Sequence, residues 1–509
     1  MIFQTKRAGK TASFLLSLAI SIFWVDWVLG QQSPNILLIL TDDQDVELHG
    51  MYPMYETSKL LGQAGAQFHN AFTPTPICCP ARASLLTGQY AHNHRTFNNS
   101  VSGGCNGPDW LHRSEPRALP VILQNHGYRT FFAGKYLNQF RGAKVPSGWN
   151  EFYGLHGNSR YYNYTLRENS QNVSYTSTYL TDLLRDRAVD FLRSATQGDV
   201  HRPFFAMVAP PAPHAPYTPA PRHRGVFSNT KALRTPSFNN PTEDKHWLVG
   251  SSAHLSNETI ATIDRYFQGR WESLLAVDEL VAALVAVLNE TKSLENTYII
   301  YTSDNGYHMG QFAQPFDKRQ PYETDIHVPL LIRGPGIAAE SHLHVAVSLI
   351  DLAPTVLDWA GITVPPYMDG RSIYGDLLQA GRTDGDISLH PPYRHSLLIE
   401  YWGEGNDDTY NPSCPWRSSD RLAECTPEAA CHCQDSWNNT FACLRDFKYN
   451  DDRIYCQFSD NENFSEAYDL RQDPYQMVNI VYDLLPIVRA LYRLRLQNLT
   501  KCSGQSCIV

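Results

Sequence analysis

The chain has 509 residues and a formal net charge of −9, with 42% hydrophobic and 18% charged residues. This length is enough for one large domain and a smaller one, with a sizeable buried core. The acidic balance argues against a general nucleic-acid-binding protein, although positive groups that converge locally can still bind an anionic substrate.

Residues 1–30 are predicted to be a signal peptide. Three basic residues fall in the first ten positions, an apolar run follows from Phe14 to Val25, and small residues suit a cleavage site near Gly30. An uncleaved membrane anchor is the weaker alternative because Asp26 interrupts the apolar run. No later run is long and apolar enough to span a bilayer, so no membrane span is expected after cleavage.

The cysteines and glycosylation sequons also fit the secretory pathway. Of the 11 cysteines, eight lie between Cys414 and Cys507, as expected for a disulfide-rich segment in an oxidising compartment. The pairing of Cys79 and Cys105 stays open at this stage. Asn-x-Ser/Thr sequons give further support. They occur at Asn98, Asn163, Asn172, Asn257, Asn289, Asn438, Asn463 and Asn498.

The predicted elements indicate a large α/β domain over residues 31–383. Four apolar segments are typical of buried parallel strands. They are residues 35–40, 128–133, 203–209 and 296–301. Helices are predicted around and between them, and residues 229–256 form a long excursion without a clear period. The predicted helices are 119–125, 178–195, 264–289 and 350–360.

Residues 384–509 are predicted to form a smaller, disulfide-rich α+β domain. Cysteines become dense there, the apolar segments are short, and turn residues recur. Strands are expected at 397–401 and 467–470, and a terminal helix at about 481–497.

Metal-competent residues follow the first and fourth predicted strands. Asp42 and Asp43 come directly after one, and Asp304 and Asn305 after the other. Crowded carboxylates repel one another, and hard oxygen ligands suit Ca²⁺ or Mg²⁺. For an isolated Asp-Asp pair, a polar turn is the ordinary alternative.

Anion-binding residues follow the second and third strands. Lys135 can hold an anionic oxygen as a point charge, and prolines stiffen the loop that carries His214. Taken alone, such residues are more often a surface lysine and a structural histidine. In open α/β sheets, however, ligands bind outside the carboxyl ends of the strands, so the four strand ends can converge on one pocket.

The stretch from Ile77 to Gly88 predicts a turn that opens a short helix. Pro80 suits the first helical turn, and Gly88 suits a left-handed C-terminal cap. Cys78 therefore lies at a helix N-terminus, and Arg82, one turn further on, can reach back towards it. The alternative is that the adjacent cysteines are ordinary disulfide cysteines of a secreted loop.

Cys78-x-Pro80-Ala81-Arg82, followed by Leu86-Thr87-Gly88, resembles the signature of the type I sulfatases. The resemblance covers nearly the whole mature chain. In that family the first cysteine, here Cys78, is oxidised to formylglycine, whose hydrate is the nucleophile, and the arginine matched by Arg82 holds that hydrate.

The resemblance also implies the remaining site residues. One Ca²⁺, or alternatively Mg²⁺, is expected on Asp42, Asp43, Asp304, Asn305 and the modified Cys78. Lys135 and Lys318 match sulfate-binding lysines, and His214 matches a histidine that contacts the sulfate and protonates the leaving oxygen. A histidine common in the family is replaced by Leu137, and part of its role is assigned to Asn138 as a hypothesis.

The family implies a three-layer α/β/α sheet domain of the alkaline-phosphatase type. Within the family, the motifs look closest to enzymes that remove the 6-O-sulfate from N-acetylglucosamine residues of heparan or keratan sulfate. The expected partners are a sulfated glycosaminoglycan and, during synthesis, the formylglycine-generating enzyme. The expected location is the lysosome by the secretory pathway, with secretion as the alternative.

Three alternatives to this function remain. A phosphatase or phosphodiesterase on the same fold would place Ser or Thr at the nucleophile and bind two metals. A non-catalytic glycan-binding relative would need broken motif positions, and only Leu137 departs from the pattern. A sulfatase for another sulfated sugar or an aryl sulfate differs in loops that the sequence does not position.

Overall fold

A computed structural model describes residues 33–197, 202–379, 394–405, 411–414, 422–429, 432–448 and 451–508, together with Met1 and Thr409. The predicted signal peptide and the predicted boundary between residues 383 and 384 lie outside the described residues. That division of the chain therefore stays a prediction.

The large sheet has ten strands in the order β11-β2-β10-β9-β1-β8-β4-β5-β6-β7. Its strands are β1 Asn35–Thr41, β2 Ala66–Phe68, β4 Arg129–Gly134, β5 Glu151–Leu155, β6 Tyr164–Glu168, β7 Gln171–Tyr175, β8 Phe204–Ala209, β9 Thr297–Ser303, β10 Leu330–Arg333 and β11 Ser341–Leu343. A two-stranded sheet joins β3 Ala71–Phe72 to β12 Val347–Ser348. The four strands predicted from apolar runs are adjacent and parallel in the order β9-β1-β8-β4.

Strand β1 shows why the domain has three layers. Ile36, Leu38 and Leu40 point into one hydrophobic core, whereas Leu37 and Ile39 point into a second core on the other face. Because successive side chains alternate across a strand, a fully apolar strand must be covered on both sides. The predicted three-layer α/β/α architecture is confirmed.

The helices that cover the sheet largely match the predicted ones. The described α-helices are α1 Tyr55–Thr57, α2 Cys78–Thr87, α3 Ala91–His94, α4 Leu119–Asn125, α5 Leu180–Thr196, α6 Trp247–Gly250, α7 Asn257–Glu290, α8 Glu323–Ile326, α9 Leu352–Trp359, α10 Tyr374–Gln379 and α11 Pro486–Leu499. Helix α7 begins seven residues before the predicted start at Asp264, because Ser256 caps it by accepting the backbone N–H of Thr259. Helix α11 begins at Pro486, at the N1 position that proline favours, rather than at 481.

The C-terminal part forms the small α+β unit that was predicted. Its four-stranded antiparallel sheet has the order β13-β16-β17-β18, and a two-stranded hairpin lies beside it. The sheet strands are β13 Ser396–Tyr401, β16 Phe441–Asp446, β17 Arg453–Phe458 and β18 Ser465–Asp469, and the hairpin strands are β14 Leu422–Thr426 and β15 His432–Ser436.

Three of the described disulfides lie within this unit, and a fourth lies within the large domain. The described pairs are Cys79–Cys105, Cys414–Cys433, Cys443–Cys456 and Cys502–Cys507. The pairing that the sequence left open, Cys79 with Cys105, fixes the residue next to Cys78. In the described part of the chain, each helix is too short or too polar to cross a bilayer.

Candidate active site

The predicted site residues meet at the carboxyl edge of the four parallel strands. Backbone hydrogen bonds continue past the strand ends, from Lys135 N–H to the Ala209 carbonyl at 2.9 Å and from Asp304 N–H to the Thr41 carbonyl at 3.2 Å. This pairing holds the first residues of neighbouring loops side by side. The convergence inferred from the strand ends is therefore present.

Cys78 lies at the N-terminus of helix α2, and its side chain is fully buried. Its Sγ is 3.9 Å from Oδ1 of Asp43, and it is the free cysteine of the described residues. Burial raises the pKa of the thiol far more than Lys135 and Lys318 lower it. An unmodified Cys78 would thus be a neutral thiol and a poor nucleophile.

Arg82 joins helix α2 to three strand ends. Its Nε donates to Oδ2 of Asp304 at 2.8 Å, and its Nη1 donates to the Lys135 carbonyl at 2.6 Å. Its Nη2 lies 3.4 Å from Oδ1 of Asp42. Gly88 ends the helix with a φ of 66°, as predicted for the left-handed cap.

Two buried lysines pair with the aspartates that follow β1. Nζ of Lys135 is 2.8 and 3.0 Å from the two carboxylate oxygens of Asp42, and Nζ of Lys318 is 2.9 Å from Oδ2 of Asp43. Burial alone would raise the pKa of each carboxyl, but the lysines and His214 hold both pKa values below the usual range. Asp304 differs, because burial raises its pKa to about 7 although Arg82 opposes the shift.

The residues at this edge fit a divalent cation. Ligand atoms of Asp42, Asp43, Cys78 and His214 lie within 4.8 Å of one another. Oδ1 of Asn305 is buried and finds no hydrogen-bond donor among the described residues, whereas Nδ2 of Asn305 donates to Oδ1 of Asp43 at 2.7 Å. Buried oxygen atoms normally accept a hydrogen bond, so an oxygen that accepts none is suited to coordinate a cation. Oxygen ligands of this kind suit Ca²⁺ or Mg²⁺.

The geometry adds His214 to the group of potential metal ligands, whereas the sequence predicted that it contacts the sulfate and protonates the leaving oxygen. Its Nδ1 is 2.8 Å from the Ala215 carbonyl, so Nδ1 carries a hydrogen and Nε2 faces Oδ2 of Asp43 at 3.8 Å. Burial lowers the pKa of His214 more than Asp42 and Asp43 raise it. The hydroxyl of Tyr161 donates to the His214 carbonyl at 2.8 Å and holds the loop in place.

Leu137 and Asn138, two and three residues after Lys135, have different surroundings. Leu137 is fully buried in the core on one face of the sheet, so this position contributes nothing polar to the site. Asn138 is 4% exposed and lines the cavity above the strand ends. Its Oδ1 is buried and has no partner among the described residues. This placement is compatible with the hypothesis that Asn138 takes part of the role of the histidine that Leu137 replaces, which stays a prediction.

A cavity of about 490 Å³ opens above this edge, within the size range of sites for small ligands. Asp43, His214 and Lys318 lie at its inner end. Its aromatic wall consists of Tyr217, Tyr266, Tyr307 and Phe316, and its outer end contains Asp317, Arg319, Glu424, Thr426 and Glu428. The sequence reasoning missed the aromatic wall and the residues of the C-terminal hairpin. The only signal for the hairpin was the density of cysteines, which does not show where it packs.

Comparison with known proteins assigns the chain to a family. The Sulfatase family model matches residues 34–362. The chain is 43% identical over 491 residues to N-acetylglucosamine-6-sulfatase of Homo sapiens, covering 94% of this chain and 86% of that protein. It is also 43% identical over 378 residues to an extracellular sulfatase SULF-1 homolog of Drosophila melanogaster, covering 73% of this chain and 33% of that protein.

A solved structure of a protein in complex with its substrate D-glucosamine-2-N,6-O-disulfate has the same fold. Its TM-score is 0.71 at 24% identity, with 92% of this chain and 97% of that chain covered. The protein belongs to the sulfatase family. It is a sulfatase similar to the N-acetylglucosamine-6-sulfatases, built on the alkaline-phosphatase-like fold.

Proposed function

We propose that this protein hydrolyses the 6-O-sulfate of N-acetylglucosamine residues in heparan or keratan sulfate. We also propose that it does so with a formylglycine made from Cys78 and one bound Ca²⁺. The observation that carries the proposal is the position of Cys78, a free and buried cysteine at a helix N-terminus among Asp42, Asp43, Lys318 and His214. The likeness to the human 6-sulfatase supports the choice of sugar.

The formylglycine would supply the nucleophile, and the cation would supply a Lewis acid. Asp42, Asp43, Asp304 and Asn305 would hold the cation, which polarises an oxygen, and hydrated formylglycine at position 78 would be the nucleophile. The chain itself provides the positive charge around the ester. Lys135, Lys318 and Arg82 line the edge where sulfate oxygens would bind, and fixed cations stabilise charge that develops on such oxygens.

His214 is suited to protonate the leaving sugar oxygen. Its hydrogen bond to the Ala215 carbonyl fixes the ring, so Nε2 is the nitrogen that can give a proton within the cavity. The step needs His214 with a hydrogen on both ring nitrogens. Burial lowers the pKa of His214 and so opposes this charged form, whereas Asp42 and Asp43 favour it. As a new bond to sulfur forms and the sulfur–oxygen bond of the ester breaks, Nε2 would give its proton to the sugar oxygen, which leaves as an alcohol, and His214 becomes neutral. The aromatic wall would pack against the sugar ring and keep water away from this atom.

The test uses protein made in a eukaryotic secretory pathway. After reduction and alkylation, mass spectrometry of the tryptic peptide Leu60–Arg82 is expected to show a peptide lighter than the cysteine form, because the thiol has become an aldehyde. The same preparation is expected to release sulfate from N-acetylglucosamine 6-sulfate. An unmodified Cys78 with no sulfate release would favour a glycan-binding protein instead.

A sulfatase for another sulfated sugar or an aryl sulfate remains the second candidate. The described disulfides fit synthesis in the secretory pathway. We propose the lysosome as the destination. Secretion is the alternative, because the Drosophila melanogaster relative is named as an extracellular sulfatase.

A further inference from the structure

The outer end of the cavity contains an arginine whose charge is already compensated. The guanidinium of Arg319 is 2.7 Å from a carboxylate oxygen of Asp317, 3.2 Å from Glu404, 3.0 Å from Glu424 and 3.5 Å from Asp435. Lys318, whose Nζ is 4.0 Å from Asp317, is a second cation beside these four carboxyl groups. The acidic groups still outnumber the basic ones, although burial raises the pKa of Asp435 to about 6 and the pKa of Glu424 is also raised. This end of the cavity therefore does not offer a free cation to a second anionic group.

Two of the acidic residues that line the cavity come from the C-terminal hairpin and the turn that joins its strands. Glu424 lies on strand β14, and Glu428 lies in the turn that follows it. Both line the cavity, and neither is buried. The ion pair between Arg319 and Glu424 joins two non-glycine residues with left-handed backbone, with φ values of 91° and 56°. Left-handed backbone at a non-glycine residue persists where the surrounding structure imposes it, so contacts with neighbouring residues hold this ion pair in place.

The inner end has the opposite character. Lys318 lines it, whereas Lys135 and Arg82 are fully buried and pair with Asp42. The carboxylates that face these three cations are the residues that fit a divalent cation. One anionic group is thus attracted to the floor of the cavity, and another anionic group on the same sugar would meet Asp317, Glu424 or Glu428. Repulsion between like charges lowers the affinity for the unwanted substrate and leaves the affinity for the correct substrate nearly unchanged.

We propose that the carboxylates of the outer end, above all Glu424 and Glu428, restrict the enzyme to sugars whose ester sulfate is their only anionic group. This inference rests on the proposed function and deepens it. Repulsion by these carboxylates would favour the N-acetylated 6-sulfated sugar over its N-sulfated counterpart. The hairpin β14–β15 thereby determines how much negative charge an accepted substrate can carry.

The test compares the 4-nitrophenyl glycosides of N-acetylglucosamine 6-sulfate and N-sulfoglucosamine 6-sulfate. The native enzyme is expected to show a kcat/KM at least tenfold higher for the N-acetylated sugar at low ionic strength. The double variant Glu424→Gln/Glu428→Gln is expected to narrow the ratio at least threefold. Added salt is expected to narrow the ratio of the native enzyme, because these groups are partly exposed to solvent.

The matched control is Glu295→Gln/Glu340→Gln, which removes two exposed carboxylates at the opposite, amino-terminal edge of the sheet. It should leave the ratio unchanged. A native ratio below twofold, or a ratio that Glu424→Gln/Glu428→Gln does not move, overturns the inference.

A binding measurement separates this inference from the proposed function. The affinities of both sugars for the Cys78→Ala protein, measured by calorimetry, are expected to differ in the same direction as kcat/KM. If neither sugar releases sulfate but the affinities differ as expected, the proposed function fails and the charge selection stands. Equal affinities refute the charge selection whether or not sulfate is released.

Discussion

The floor of the cavity, meaning its inner end and the buried residues paired there, and its outer wall, meaning the charged residues of its outer end, are built in different ways. On the floor, Asp42, Arg82 and Lys135 are fully buried and paired across neighbouring strand ends of the large sheet. In the wall, the side chain of Glu424 is 45% exposed and belongs to a hairpin of the C-terminal unit that the Cys414–Cys433 disulfide tethers. Rigid elements thus carry the proposed chemistry, whereas a separately tethered loop carries the proposed selection.

The change with the largest expected effect removes the proposed nucleophile from the floor. Cys78→Ala should lower kcat by at least about a thousandfold, because covalent catalysis through formylglycine is lost. Steady-state release of sulfate checks this. The melting temperature and the Cys79–Cys105 disulfide should stay near native. Activity close to that of the native protein would refute the mechanism.

Removal of the divalent cation should cause the second-largest loss of kcat. Dialysis against a strong chelator is expected to lower kcat by about a hundredfold or more, since the Lewis acid is lost and the floor carboxylates are no longer held by an ion. Re-addition of Ca²⁺ should restore turnover, and chelator saturated with Ca²⁺ beforehand is the control. An enzyme free of metal by elemental analysis yet fully active would contradict the metal assignment.

Asn138 should matter less, because it lines the cavity but is neither the proposed nucleophile nor a proposed metal ligand. Asn138→Ala should lower kcat/KM by roughly ten- to a hundredfold, as expected when a hydrogen-bonding side chain that contacts the substrate is removed. The melting temperature reports whether the fold is intact. Near-normal turnover of the variant would rule out a role for Asn138.

Loosening the wall should affect selection more than chemistry. In Cys414→Ser/Cys433→Ser, both partners are replaced so that no new free thiol results. The KM for the N-acetylated sugar should rise about three- to tenfold, because a less ordered wall must pay the entropy of ordering on binding. Turnover of 4-nitrophenyl sulfate at saturation should stay within about twofold, since the floor residues that perform the chemistry are untouched. Equal losses on both substrates would mean that the hairpin supports the floor as well.

The smallest expected effect concerns a contact remote from the cavity. Nδ1 of His92 is 2.9 Å from Glu400, Nε2 is 3.0 Å from the Cys502 carbonyl, and although burial opposes it, the carboxylate raises the pKa of His92 to about 9. A raised folded-state pKa stabilises the protein fully below about pH 6.5, and this stabilisation is lost as pH rises through about 9.

Denaturation by urea between pH 6 and pH 9.5 should therefore show a decline on the order of 1–3 kcal/mol that His92→Gln reduces. The floor should be unaffected, so the ratio of kcat/KM values for the two sugars should be the same in this variant. An unchanged decline in His92→Gln would show that other groups cause it.

The sequence predicts the floor far better than the wall. Apolar runs reveal β1, β4, β8 and β9 because strands covered on both faces must be apolar throughout, and the polar residues directly after them must share one edge. The edge strands β5–β7 carry mixed side chains and leave no comparable pattern. Resemblance to the family, rather than periodicity, indicated Lys318 and the role of Cys78.

The wall could not be predicted, because its position depends on packing between distant segments. Arg319 meets Glu404 and Glu424 only after the C-terminal unit has docked on the large domain. Neither local propensity nor hydrophobic spacing encodes such docking. The start of helix α7 was missed for a simpler reason, since its first three residues, Asn257 to Thr259, are polar and only the cap at Ser256 marks them.

The burial of Cys78 fixes an order of events in the life of the protein. With none of its side chain exposed, this cysteine is closed in by helix α2 and the strand ends. If Cys78 is oxidised to formylglycine by a second protein, as proposed, that protein must meet the chain while it is still extended, before the sheet assembles. A molecule that folds first carries a sealed thiol, and no later exposure to the modifying enzyme would rescue it without unfolding. On the proposed mechanism, conversion and folding would compete for the same nascent chain, and the active fraction of a preparation would report which came first.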